Sequence, residues 1–327
     1  MIDATVVPAD IAYPTDSALV YKAIEKAGAI SDSTRTPAGE KRPYDNREKM
    51  HSVFLELAKA KRMKSGKRRK RMRLLVDFLE KQLRYVEACL KRPEEAFNSE
   101  VAFVRACGLQ KVLRTVHNQQ DEMLKQKKHS VKDRIVSIAQ PWVRPIVRGK
   151  LRAETEFGMK LSASVVDGCV RFEEASFDPY NESTVFQTQA QRYCLRYGVY
   201  PESVHADQIY LTRENRKFCK KRGMRLSVRP LGRPLKDPAQ KQSSDDRYKA
   251  DLKERIIVEG KFGESKRTYS LDRVMAHLKE TTLSVVHAVA AAMNLRRWLR
   301  TLSLLLSLFK KLFFRKIFFM RPLDAAA

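Results

Sequence analysis

Three acidic residues stand where the chain's chemistry could gather: Asp3 in a β-prone opening run, Asp207 in the run Ser203–Tyr210, and Glu259 on a helical stretch that follows a basic, Pro-rich loop. Carboxylates on adjacent strands and a neighbouring helix can converge around two divalent cations. Hard oxygen donors with open positions suit Mg²⁺ or Mn²⁺. Two such ions, roughly 3.5–4 Å apart, bracket a phosphate, activating the attacking oxygen and stabilising the leaving one. With 38 acidic residues in the chain, no single one carries weight alone. The surroundings of Glu259 are more specific. Arg255 precedes it by four residues and Lys266 follows by seven, so all three return to one helical face. A carboxylate between two cations suits a grip on phosphate either side of a cleaved bond; an exposed salt-bridge stripe is the plainer alternative. Gly260 and Gly263 each cost a helix about 1 kcal/mol relative to Ala, which favours close approach of backbone or DNA at that point.

The charge points the same way. The chain of 327 residues carries 65 Lys and Arg against 38 Asp and Glu, a formal +27. An excess of that size repels itself unless a polyanion shares the site, so nucleic acid is the expected partner, ahead of a membrane surface or an acidic protein. Lys59 to Arg73 holds ten basic residues and no acid. Within it Lys67, Arg68, Arg69, Lys70 and Arg71 are expected DNA-backbone contacts, because a single-sign block is costly without counter-charge. Arg144, Arg148 and Lys150 are further candidates, read equally well as surface loop charges. Five separated cysteines and few histidines argue against a zinc site or a disulfide framework and for reduced thiols in a cytoplasmic protein. No secretion signal is visible at the N-terminus. The apolar stretch from Leu302 to Met320 is broken by Lys310, Lys311, Arg315 and Lys316. Its longest uncharged run, Thr301 to Phe309, is too short to span a bilayer, so it reads as a basic amphipathic helix packed on the body or on a partner, ahead of a helix lying on a membrane surface.

Elements that could position the acids follow from periodicity. Residues 2–8 are strand-like. From Ser17 to Ser130 apolar residues recur at helical spacing, with one long helix expected over Ala60–Leu90. At Phe157 the period becomes two, and two alternating runs flank Asp167-Gly168, a strong hairpin signal. A helix over Ser183–Tyr197 stops near Gly198. Ser203–Tyr210 reads as a strand, Thr212 caps a helix over Arg213–Arg222, and Met224–Val228 is a short strand. Helices then cover Asp245–Lys266 and Leu271–Trp298. With the helical block set aside, the order is β-β-β-α-β-α-β-α, that of a ribonuclease H-like domain.

On these residues the chain resembles the DDE transposases of bacterial insertion sequences, of the insertion-sequence-five type. The resemblance runs through Asp3–Val6 with Tyr13–Asp16, Gln140–Gly149, Glu156–Gly158, Ala206–Tyr210, Arg213–Asn215 and Leu231–Pro234. It ends with Arg255, Glu259–Gly263 and Lys266-Arg267. It implies an α/β ribonuclease H-like catalytic core, a mixed sheet flanked by helices, with a large helical insertion after the first strand. The divisions expected are 1–16 for the first strand with its Asp, 17–135 for the basic helical insertion, 136–294 for the rest of the core and 295–327 for a basic, apolar tail. It further implies a catalytic, metal-binding triad of Asp3, Asp207 and Glu259, with Arg255 and Lys266 as accompanying cations and two Mg²⁺ or Mn²⁺ ions. The implied activity is cleavage and strand transfer at terminal inverted repeats, joining them to target DNA beside the nucleoid, with a homodimer pairing the two ends. The alternative is a catalytically silent DNA-binding remnant; an RNA-binding protein would account for the charge alone. Members of that family carry a considerable stretch ahead of the first Asp, whereas here two residues precede it. That departure implies a shortened chain with a frayed first strand and impaired recognition of the DNA ends.

Overall fold

A computed structural model describes residues 1–150, 153–228 and 238–319. The strand β1 (Ile2–Pro8) leads into helices α1 (Asp16–Ser33), α2 (Arg47–Lys59), α3 (Ser65–Lys91), α4 (Pro93–Ala96) and α5 (Glu100–Gln126). Three strands follow: β2 (Arg144–Lys150), β3 (Ala153–Val166) and β4 (Cys169–Ser176). The rest alternates: α6 (Glu182–Tyr197), β5 (Ser203–His205), α7 (Arg213–Lys221), β6 (Arg225–Ser227), α8 (Pro238–Thr268) and α9 (Lys279–Phe319). This is a mixed α/β, helix-rich chain with a small antiparallel sheet.

The sheet is organised by β3. One edge pairs antiparallel with β1, from Ile2 opposite Ser164 to Pro8 opposite Gly158. Along its first half β3 pairs with β2, and along its second half with β4. The turn into β4 places Asp167 at φ 49° and Gly168 at φ 70°, the paired positive values that an Asp-Gly hairpin supplies. The expected fraying of β1 is not found. Ile2, Ala4, Val6 and Val7 are buried, and the pairing extends to Met1, whose ammonium donates to Val165 O at 3.0 Å while Val165 N donates to Met1 O at 2.9 Å. Burial and a partner strand longer than β1 hold it in place.

Two other expectations are corrected. Residues 144–150 form a strand in place of a loop, because β3 begins earlier than its alternating run and leaves an edge to be paired. The strand bearing Asp207 is cut to Ser203–His205, since β6 offers only three partners. The parallel pair β5–β6 is a sheet of its own. Ile2 and Val204 share one apolar cluster, but a cleft of about 200 Å³ lies between Met1-Ile2 and Pro201–Val204, so no ladder joins β1 to β5.

The helical block has its own core, with Val20, Ile24, Leu75, Leu79, Leu83 and Leu113 at its centre. Ion pairs tie its helices together across the surface. Burial opposes ionisation of Glu80, yet hydrogen bonds from Arg84 and Arg114 win and hold its carboxyl below the ordinary range. At Asp121 burial is likewise outweighed, by Lys125 at 2.6 Å and Arg73 at 2.5 Å. Acids that are stronger in the folded state give stability that is complete above the unfolded carboxylate pKa, about 4, and is lost as the pH falls below it. Helix content followed by circular dichroism is therefore expected to melt at a lower temperature at pH 3 than at pH 7; an equal melting temperature would show that these pairs contribute nothing.

The sheet core is closed by α8 and α9, through Val258, Phe262, Val286, Val289 and Met293. Asn294 clamps the edge of β4, accepting from Val170 N and donating to Val170 O, both at 2.8 Å. Helix α9 starts later than expected because Ala9 and Val274 form a short bridge that holds residues 271–278 out of the helix. Just beyond Asn294 it still touches the body, Arg296 lying 3.9 Å from Glu264 and Arg297 against the turn at Gly168, but Leu302, Leu305 and Phe309 of the basic stretch are exposed and do not pack on the described residues. Among the described residues no helix is long and apolar enough to cross a membrane.

Candidate active site

Arg255 is the centre of the site. From α8 its guanidinium reaches Asp207 Oδ1 at 3.3 Å and Glu259 Oε1 at 3.6 Å, joining residues 48 positions apart and one helical turn apart. The Arg255 side chain is 24% exposed, while Asp207 and Glu259 are 53% and 55% exposed, so the cation is sunk behind two acids that face outward. Asp207 lies just past β5, where its carboxylate accepts from Gln208 N at 2.7 Å and caps a short 3₁₀ turn, Gln208–Tyr210.

Asp3 enters from the other sheet. It stands opposite Ala163 on β1 and accepts from Ala4 N at 2.8 Å. Burial pushes its carboxyl up to about 6; the Ala4 N–H opposes that, Glu182 and Asp207 add to it, and Arg255 subtracts. Asp3 is thus within electrostatic reach of both Asp207 and Arg255. Among the described residues, however, no three His, Cys, Asp or Glu side chains stand close enough to share a metal ion. Lys266, seven residues beyond Glu259 on α8, is half-buried and partnered.

Several residues around these acids were not anticipated. Glu182, at the start of α6, is paired with Lys160 Nζ at 3.0 Å. Beneath Asp3, Ser162 Oγ donates to the Asp3 carbonyl at 3.4 Å and accepts from Gln189 Nε2 at 2.6 Å. The buried Tyr210 ring lies against this layer, and burial, Glu182 and Asp3 drive its hydroxyl's pKa well above the ordinary value.

Asp251 has a more direct influence on the site. It lies one turn before Arg255 and accepts two hydrogen bonds from Arg225 of β6, at 2.6 and 3.0 Å, with His205 of β5 at 3.5 Å. Those bonds lower its pKa against the cost of burial. Asp251 therefore fixes α8, and with it Arg255 and Glu259, against the strands that lead to Asp207. The only sequence signal was an acid at i−4 of Arg255, a spacing that many surface helices share. Asp251→Asn is expected to lower the free energy of unfolding by about 2 kcal/mol; an unchanged urea midpoint would remove Asp251 from this role.

The expected DNA contacts divide. Lys67 and Arg71 are both paired with Glu56, at 2.9 and 2.8 Å, whereas Arg68, Arg69 and Lys70 have no ion-pair partner among the described residues. Arg144 serves the fold: 17% exposed, it donates to Pro141 O at 2.5 Å and lies 3.7 Å from Asp178. The side chains of Arg148 and Lys150 lie outside the described residues, as does the run Leu231–Pro234. Among the described residues no backbone comes near Gly260, where an added Cβ would meet nothing within 4 Å, and at Gly263 it would meet only the Arg267 side chain. Among the described residues, close approach of the chain's own backbone is thus not the reason for these glycines.

Asp207, Arg255, Glu259 and Lys266 all fall inside one segment that can be compared with known families. Residues 204–296 match the family model of the transposase DDE domain. That match supports a DDE transposase, a nucleic-acid-processing enzyme of a family that generally uses divalent metal ions. It does not extend to Asp3 or to the helical block. Neither the curated proteins nor the solved structures contain a match.

Proposed function

We propose that the chain is a DDE transposase that cleaves DNA at the ends of an insertion sequence and joins the freed 3′-hydroxyl to target DNA. Asp3, Asp207 and Glu259 are its acidic triad on a ribonuclease H-like core, and Arg255 and Lys266 are its accompanying cations. The observation that carries this reading is Arg255, held between Asp207 and Glu259 inside the matched segment. Asp3 joins them electrostatically from the central sheet.

The three carboxylates are the all-oxygen donor set that Mg²⁺ or Mn²⁺ takes. A half-buried acid raised by burial and by other acids is short of positive charge, so the residues fit such an ion, which Asp3, Asp207 and Glu259 would hold. When bound, the metal supplies activation of the attacking oxygen and stabilisation of the leaving one. The chain's own contribution is positioning and charge. In-line phosphoryl transfer needs little covalent help from the protein. Arg255 keeps Asp207 and Glu259 aligned and offers its fork to phosphate oxygens, and Asp251 keeps Arg255 in place.

The test uses a duplex carrying the terminal repeat read from DNA flanking the coding sequence, with one strand pre-cut to expose its 3′-hydroxyl. With Mn²⁺ and a target plasmid, joined product is expected. DNA binding without joined product would replace this reading with the catalytically silent remnant.

A further inference from the structure

The helical block lies outside the matched segment, and it contains a second strongly charged feature. The start of α3 and the end of α5, some 60 residues apart in the chain, face each other across a cleft of about 550 Å³. Arg68 and Arg69 line it from α3, and Lys127 and Lys128 from the close of α5. All four are exposed and none has an ion-pair partner among the described residues. The one acid lining the cleft, Asp16, is already engaged by Arg134 at 2.5 Å and by Gln120 at 2.9 Å.

The two halves of this rim have different costs. Lys127 and Lys128 sit at a helix C-terminus, where cations are favoured by the helix dipole. The cations of α3 sit at its N-terminus, where the dipole opposes them, and its first turn holds no acid. Among the described residues Glu56 takes Lys67 and Arg71, and Asp121 takes Arg73 further along the helix, which leaves Arg68 and Arg69 without an acid. Four cations on two walls of the cleft, unpaired among the described residues, are thus left for an external anion. Cations contributed by two separate walls suit a polyanion that presents several phosphates better than a single small ion.

We propose that this cleft binds the sugar–phosphate backbone of duplex DNA at a distance from the acidic site, as a sequence-independent grip. It deepens the transposase reading and rests on that reading for its choice of duplex DNA as the ligand.

Duplex affinity measured against salt tests it, because each phosphate neutralised contributes about −0.9 to the slope of log K against log salt. A 30-base-pair duplex of arbitrary sequence is titrated with the full chain and with two variants of equal net charge. One carries Arg68→Gln, Arg69→Gln, Lys127→Gln and Lys128→Gln. The other carries Lys81→Gln, Lys91→Gln, Arg105→Gln and Lys111→Gln, exposed on the same two helices outside the cleft. The cleft variant is expected to bind more weakly, with a slope shallower by up to about 3.6, at an unchanged melting temperature, and the outer variant to keep its slope. Equal losses in both variants, an unchanged slope in the cleft variant, tighter binding of an acidic protein or of duplex RNA than of duplex DNA, or no duplex binding by the parent chain would each overturn it. Strand joining reports separately: joining that persists with an unaltered slope sinks the cleft alone, and a lost slope without joining sinks the transposase reading alone.

Discussion

Asp207→Asn and Glu259→Gln are each expected to reduce strand joining at least about 10²-fold, the scale on which removal of one charge-stabilising group slows a reaction. Both carboxylates are more than half exposed, so the isosteric amides should fold as the parent does. The mechanism of loss is local. Arg255 is held by two acids, and neutralising either removes a hard oxygen ligand and also releases the guanidinium from one side. Duplex binding should persist, because the cations on α3 and α5 are untouched. The measurement is the rate of joined product from a pre-cut end in Mn²⁺, beside a binding titration on the same duplex. Joining at the parent rate in either variant would exclude these residues from the chemistry, and with them the assignment of Asp3.

Gly158→Ala is expected to be among the most destabilising single substitutions in the chain. Gly158 is where β3 is paired on both edges, with Pro8 of β1 and Arg144 of β2. A Cβ added there would lie 2.1 Å from Val7 O and 2.8 Å from Pro8 Cα. These are backbone atoms inside a hydrogen-bonded ladder, so no side chain can turn aside to make room. Overpacking a rigid site costs about 1–3 kcal/mol and occasionally more, and a clash with backbone belongs at the upper end, about 3 kcal/mol. Urea unfolding should show a lower midpoint at the same slope. The same clash moves the strand that bears Asp3, so joining should fall even where the variant remains folded. A midpoint within experimental error of the parent would mean that β1 is free to shift, contrary to its pairing from Met1 to Pro8.

Much of the local structure was legible in the residues. Asp167-Gly168 announced a hairpin because both positions need positive φ, and Gly198 marked the end of α6 for the same reason: it sits at φ 76°. Thr212 announced a helix start because its hydroxyl can accept from the N–H three residues on, as it does from Asn215. The spacing of Arg255 and Glu259 predicted that they would meet, since one helical turn separates them. Each of these inferences uses residues that touch because they are close in sequence.

The features that escaped depend on partners far along the chain. Whether residues 144–150 form a strand is decided by the free edge of β3, and where the Asp207 strand stops is decided by the three residues that β6 provides. Asp251 became a positioning residue only because Arg225 came to face it. The pairing of Lys67 and Arg71 with Glu56, the partial burial of Arg144 and the shared cleft lined by Arg68 and Lys128 are likewise tertiary facts. By itself the sequence determined the helices, the turn, the acidic positions and the cationic excess, all set by backbone preference and composition within a few residues. Only the tertiary structure decided which charges cancel and which are left for a ligand, because Coulomb partners and burial are properties of neighbours in space.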